Sequence, residues 1–167
     1  MKNVVLVGMM SSGKSTLGKK LARLLGYRFV DLDKLIEKDQ ESDIPSLFAQ
    51  KGEAYFRQVE SRVLREQAGQ KGIVLASGGG TPCFHDNMAF IRQLGVSVFL
   101  DVPAANLAKR ISNHGKDDRP ILSGAESLEK TLQAKITERL PFYSQADVTI
   151  KGEVEANHLL QTLQPLL

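Results

Sequence analysis

The stretch VVLVGMMSSGKSTLGKKLARLLG, residues 4–26, joins a run of β-branched and apolar residues to an amphipathic helical pattern through a glycine-rich turn. The join has the form G-x-x-x-x-G-K-[ST], with Gly8, Gly13, Lys14 and Ser15 in the fixed places. A loop of this form wraps phosphate groups with backbone N–H donors and adds the positive end of the helix behind it. Lys14 then reaches the β- and γ-phosphates, and the Ser15 hydroxyl is placed to hold Mg²⁺. A merely glycine-rich turn is the plain alternative; the strand before it and the helix after it argue for phosphate binding.

Working outward, further short apolar runs occur at Phe29–Leu32, Ile73–Ala76, Val96–Val102 and Val148–Ile150, most of them separated by helical patterns. That alternation predicts an α/β protein built on a mainly parallel sheet with helices on both faces. Ligands of such sheets bind beyond the carboxyl ends of the strands, so active residues are expected just after each run. Leu17, Leu21, Leu24 and Leu25 predict one apolar helix face that stops at Gly26. Leu128, Leu132, Ile136 and Leu140 predict a second, ended by Pro141. The polar segment 112–124, SNHGKDDRPILSG, reads as a surface loop, and a lid is one functional version of it.

The chain's 167 residues suit one domain, 1–167. Charged residues at 25% and apolar residues at 42% describe an ordinary soluble globular protein. A net charge of +3, with Lys and Arg dispersed, argues against a nucleic-acid partner and suits small anionic substrates. The single cysteine, Cys83, rules out an internal disulfide framework and fits a reducing compartment, hence a cytoplasmic location. Nothing approaches a membrane span, and the short apolar run near the start lacks a cleavage pattern, so neither membrane nor export is expected. His85, His114 and His158 with Cys83 show no zinc spacing.

Asp31 and Asp33 stand two residues apart at a strand end, where the pleat sends both the same way. Beside the phosphate loop, Asp31 can hold Mg²⁺ and Asp33 can orient a substrate hydroxyl and accept its proton. The competing reading is a solvated pair capping the next helix. Arg57 and Glu60 are three apart on a helical pattern, so Glu60 can brace the guanidinium for a bidentate grip on a carboxylate or phosphate; a surface ion pair is the common alternative. Gly78, Gly79 and Gly80 leave another strand and permit close backbone approach to a ligand. Arg119 in the polar segment can neutralise a transferring phosphoryl group, and Arg139 is either a second anion contact or a favourable charge near a helix C-terminus.

Taken together, the phosphate loop, DLD at 31–33, FR at 56–57, GGG at 78–80, RPIL at 119–122 and ER-x-x-x-Y at 138–143 make the chain resemble the shikimate kinases, nucleoside-monophosphate-kinase-like P-loop proteins. The resemblance implies a three-layer P-loop fold with a five-stranded parallel sheet flanked by helices, a shikimate-binding region about 33–61 and a mobile lid about 112–124. It implies a monomer that uses ATP and Mg²⁺ to phosphorylate the 3-hydroxyl of shikimate, on the route to chorismate and aromatic amino acids. By position, Asp33 would contact ring hydroxyls, Arg57 and Arg139 would hold the carboxylate, Gly79 would offer backbone contact, and Phe48 and Phe56 would shape the pocket. Ser11, Ser12, Gly13, Lys14, Ser15 and Thr16 would bind the ATP phosphates, Arg110 would lie along adenine, and Arg119 would be the lid arginine. Ser11 stands where the family often carries glycine; if that position needs a positive φ, serine is strained there.

The residues alone leave two rivals. One is another small-molecule kinase, for which gluconate, also a hydroxylated carboxylic acid, is the nearest acceptor. The other is a nucleotide-controlled switch, against which stands the absence of the Asn-Lys-x-Asp pattern of guanine recognition.

Overall fold

The computed structural model describes residues 1–114 and 125–167, apart from the side chains at positions 114, 125 and 126. Five strands, β1 (Asn3–Val7), β2 (Arg28–Asp31), β3 (Ile73–Ala76), β4 (Gly95–Asp101) and β5 (Val148–Lys151), form one parallel sheet in the order β2-β3-β1-β4-β5. Val4 of β1 pairs with Val74 on one side and Val96 on the other, so the first strand is central. Every strand ends on the same edge of the sheet, and the loops that follow them converge there.

Alternation along β1 divides the interior in two, because successive side chains leave a strand on opposite faces. Val4 and Leu6 pack with Leu17, Leu21 and Ala22 of helix α1 (Lys14–Leu25) and with Leu159 and Leu163 of α8 (Ala156–Leu163). Val5 and Val7 face the other way. They meet a larger layer drawn from α2 (Leu32–Gln40), α3 (Ile44–Lys51), α4 (Glu53–Arg65), α5 (Asn87–Leu94), α6 (Ala104–His114) and α7 (Ala125–Tyr143). The central strands β1 and β3 are buried along their whole length, which is why they read as unbroken apolar runs, whereas edge strand β5 alternates half-buried with exposed.

The α1 helix ends at Gly26 as expected, with Gly26 at φ 69 and its N–H on the carbonyl of Arg23. Two apolar stripes need correction. Leu24 is exposed, because the buried face of α1 runs through Lys14, Leu17, Gly18, Leu21 and Ala22 and passes Leu24 by. On α7, Leu128 and Leu132 are buried and Leu140 is exposed. Residues four apart advance by about 40° around a helix at 3.6 residues per turn, so the stripe has rotated off the core by its fourth member. Tyr143, fully buried, takes the inward position instead. Pro141 does not end α7 either, since the helix continues to Tyr143. A proline so near the end forfeits one backbone bond, and the buried Tyr143, whose hydroxyl donates to the Gly79 carbonyl, anchors the last turn.

Candidate active site

A cavity of about 1030 Å³ opens at the carboxyl edge of the sheet. The phosphate loop forms its floor, Asp31, Asp33 and residues 77–79 form one wall, and Arg110 with residues 152–157 form the other. All of these lie at or beyond strand ends except Arg110, which α6 supplies.

The loop after β1 is tight. Ser11 sits at φ 63 and Gly13 at φ 100, so the strain foreseen at Ser11 is present. Arg110 fixes that turn, with Nη1 donating to the Ser11 carbonyl at 2.9 Å and Nη2 paired with Glu153 at 3.1 Å. No side chain caps the start of α1 and its first turn holds no acid, so its leading N–H groups and positive dipole end are left for an anion. The buried Lys14 donates from Nζ to the carbonyls of Gly8 and Met9 at 2.6 and 2.8 Å. Burial pushes its pKa down to about 8; Arg139 adds to that, while Asp33 and Asp31 oppose it. The buried Ser12 hydroxyl has no hydrogen-bond partner among the described residues, an orphan of the kind that a bound ligand or water satisfies.

The acids divide their roles in a way the strand reading missed. The β2 strand ends at Asp31, and Asp33 lies on the first turn of α2, so the pleat does not align them. Asp31 is the cap of α2, accepting from the Lys34 N–H at 3.3 Å, and its Oδ2 also stands 3.5 Å from the Ser15 hydroxyl. Capping and facing the phosphate site are thus compatible functions of one carboxylate. Two hard oxygens beside a phosphate loop make a fitting partial shell for Mg²⁺, which normally takes one or two protein ligands and completes its octahedron with phosphate and water. Half-buried Asp33 has its pKa raised to about 6 by burial first, then by the charges of Asp31 and Glu60, against the pull of Lys14.

Near the phosphate loop lies a set of charged side chains gathered from α2, α4 and α7. Arg57 of α4 is buried, held by Glu60 at 2.9 Å and by Glu53 at 3.3 Å. Its guanidinium lies over the Phe84 ring at 4.2 Å and the Phe56 ring at 5.2 Å. Phe56 in turn packs on Phe48 with ring centroids 4.7 Å apart. Of the alternatives left open for Arg57 and Glu60, the braced, buried arginine is the one found; Glu60 is 1% exposed.

The triglycine is where these groups meet. A Cβ on Gly78 would lie 3.0 Å from Asp33 Oδ1, one on Gly79 would lie 2.9 Å from Arg139 Nη1, and one on Gly80 would lie 2.6 Å from Arg57 Nη2. The absence of a Cβ at these glycines therefore makes room for the charged side chains of Asp33, Arg139 and Arg57, and at Gly78 for the Thr81 hydroxyl as well. Half-buried Arg139 also approaches the Met9 sulfur at 3.6 Å, and among the described residues it has no carboxylate partner. Burial pushes the Tyr143 hydroxyl up to about 12, which keeps it a neutral donor to Gly79.

The fold thus brings Ser11–Thr16, Asp31, Asp33, Arg57, Glu60, residues 78–80, Arg110 and Arg139 to one edge of the sheet, with Phe48 and Phe56 behind Arg57. Arg119 and most of the 112–124 segment lie outside the described residues. Sequence reading gave no role to Glu53, Thr81, Asn87 or Tyr143. Glu53, four residues before Arg57, was visible by helical spacing. Thr81 and Asn87 carried no such signal, because their partners on α4 are distant in the chain.

A family model described as shikimate kinase matches residues 10–164. A shikimate kinase of Parabacteroides distasonis is 41% identical over 155 residues, spanning 92% of this chain and 89% of the relative. Among solved structures, a shikimate kinase from Bacteroides thetaiotaomicron superposes with a TM-score of 0.88 at 37% identity, covering 99% of this chain and 97% of the other. A shikimate kinase from Acinetobacter baumannii, solved in complex with shikimate, gives a TM-score of 0.85 at 36% identity, covering 99% and 92%.

Proposed function

The chain belongs to the shikimate kinase family, and from that membership we propose that it transfers the γ-phosphoryl group of ATP to the 3-hydroxyl of shikimate, releasing ADP and shikimate 3-phosphate. The observation that carries the reading is the placement of Asp33. It lines the same cavity as Lys14 and the phosphate loop, and its Oδ1 lies against Gly78, the first of the glycines that seat Arg139 and Arg57. A hydroxylated carboxylic acid gripped by two arginines at one end presents a hydroxyl to Asp33 at the other.

In this mechanism the phosphate loop, residues 11–16, binds the ATP phosphates, and Lys14 exchanges its loop carbonyls for phosphate oxygens. Ser15 and Asp31 are the residues that would hold Mg²⁺. Mg²⁺ held there would supply charge neutralisation for the ATP phosphates. Arg57 and Arg139 hold the shikimate carboxylate, backbone at residues 78–80 closes on the ring, and Phe48 and Phe56 bound the pocket. Asp33 accepts the hydroxyl proton as the oxygen attacks the γ-phosphorus in line and the bond to ADP breaks. A pKa of about 6 leaves Asp33 ionised at neutral pH while making it a better base than a solvated aspartate. Arg110 belongs to the nucleotide side, and the family resemblance gives Arg119 the charge on the moving phosphoryl group.

The chain is read as one kinase domain over residues 1–167, with the acceptor region about 33–61 and the lid about 112–124. No described helix is long and apolar enough to cross a membrane. Dispersed charge and a lone thiol support a cytoplasmic enzyme with no nucleic-acid partner, and the resemblance supports a monomer.

The test is ADP release from Mg-ATP with shikimate, gluconate, AMP, CMP or no acceptor, with product mass read in each case. Shikimate-dependent ADP with shikimate 3-phosphate formed is expected. Turnover with gluconate alone would keep the kinase and reject this acceptor, and tight nucleotide binding without any turnover would favour a switch.

A further inference from the structure

We propose that Thr81 is a positioning residue for the acceptor, acting through Glu60 to hold the Arg57 guanidinium in the geometry that grips a carboxylate. The proposal rests on the assignment of Arg57 to the acceptor made above.

Glu60 has two oxygens and two partners. Its Oε1 accepts from Arg57 Nη1 at 2.9 Å, and its Oε2 accepts from the Thr81 hydroxyl at 2.8 Å. Both Glu60 and Thr81 are closed to water, at 1% and 0% exposure. A carboxylate oxygen that loses its donor in such a place finds no solvent replacement. With Thr81 removed, the free oxygen has one strong donor within reach, the guanidinium beside it. Glu60 would then turn both oxygens onto Arg57 as a fork, the preferred geometry of such a pair. That occupies the N–H groups an acceptor carboxylate needs. The Thr81 hydroxyl therefore keeps Glu60 monodentate and leaves part of Arg57 available.

The hydroxyl is itself held in place. Buried Asn87 donates from Nδ2 to the Thr81 carbonyl at 2.9 Å, and its Oδ1 accepts from Ser61 at 3.0 Å and from Arg65 Nη1 at 2.7 Å. Arg65 reaches on to the His85 carbonyl at 2.8 Å. Ser61 and Arg65 follow Arg57 at successive four-residue steps on α4, so they lie along one side of the helix. The turn after β3 is thus fastened to α4 twice, through the Thr81 hydroxyl to Glu60 and through the Thr81 carbonyl and Asn87 to Ser61 and Arg65. Gly80, the residue before Thr81, lies against the Arg57 fork, so a shift of the turn and a shift of the guanidinium are one event.

The test is steady-state kinetics of the full chain and of Thr81→Val, Thr81→Ser and Arg57→Lys, with shikimate and ATP varied separately. Thr81→Val keeps the shape and deletes the donor. It should raise the KM for shikimate by about tenfold, because Glu60 then competes with the acceptor carboxylate for the Arg57 N–H groups, with the KM for ATP and kcat held. Thr81→Ser, which keeps the hydroxyl, should restore the shikimate KM. Thr81→Ala carries the same expectation as the valine variant and replaces it should valine fail to yield folded protein. An unchanged shikimate KM in the variants lacking the hydroxyl, equal rises for both substrates, or serine no better than valine would each overturn the proposal. If Arg57→Lys is impaired for shikimate while Thr81→Val is normal, only the Thr81 role is lost. If Arg57→Lys binds shikimate normally, the Arg57 assignment fails and the Thr81 role falls with it.

Discussion

The two halves of the site are built by different means. On the nucleotide side, one continuous segment of the chain supplies the strand, the loop, Lys14, Ser15 and the helix dipole, and the working groups are mostly backbone N–H. On the proposed acceptor side most working groups are side chains from α2, α4 and α7, joined by the backbone of the turn after β3, and they span the chain from Asp33 to Arg139. A backbone cradle tolerates variation in most of its side chains because its donors belong to every residue. A side-chain pocket depends on each contributor and on the fold that assembles them. The nucleotide side defines a very large class of proteins, and the acceptor side defines what a member of it phosphorylates.

The variants that break this contrast most strongly act where the halves meet. Lys14→Met should lower kcat by about 10³-fold, the scale of losing a positioned cation from a charged transition state, while the thermal midpoint stays near that of the wild type. A fall in kcat of less than tenfold would remove Lys14 from the chemistry. Asp33→Asn should lower kcat/KM by about 10²-fold or more, because the amide cannot take the hydroxyl proton. The sign of the pH effect follows from the raised pKa: the ionised form acts, so kcat/KM of the wild type should fall as pH drops below about 6. The same descent in Asp33→Asn would assign that limb to another group.

On the acceptor side alone, Arg57→Lys should raise the shikimate KM by about tenfold or more with little change for ATP, since a point charge replaces a planar fork that lies over the Phe84 and Phe56 rings. Equal losses for the two substrates would erase the division between the halves. The smallest effect belongs to the loop. Ser11→Gly tolerates the positive φ without strain and should leave activity within about twofold while shifting stability by less than about 1 kcal/mol, because the relief of strain is offset by glycine's greater loss of chain entropy. A large loss of ATP affinity in that variant would mean that the serine side chain, and not the cradle, does the binding.

Much of this was legible because it is local. The phosphate loop, the stop at Gly26 and the five apolar runs follow from short spacings, and the strands lie within a residue or so of where the runs placed them. The pairing of Arg57 with Glu60 followed from helical spacing in the same way. The errors arose where a longer-range fact decided. Leu24 and Leu140 have the right period and the wrong side, since which face is buried depends on the partner surface. The α7 helix passes Pro141 because Tyr143 is tied to Gly79, a contact across 64 residues. The exception is Asp33, which left the strand for a local reason: Asp31 caps α2 immediately before it, the competing reading of that pair.

Sequence by itself determined the class of fold, the phosphate loop and the stock of charged groups, because strand, turn and helix each answer to neighbours within a few residues. Only the tertiary structure decided that Gly78, Gly79 and Gly80 would make room for Asp33, Arg139 and Arg57, that Glu60 would be shared between Arg57 and Thr81, and that Asp33 would line the cavity of the phosphate loop. The pattern of residues names the groups, but distance, burial and direction belong to the packed chain. Those three set whether an arginine is a surface charge or a grip, and whether an aspartate is a cap or a base.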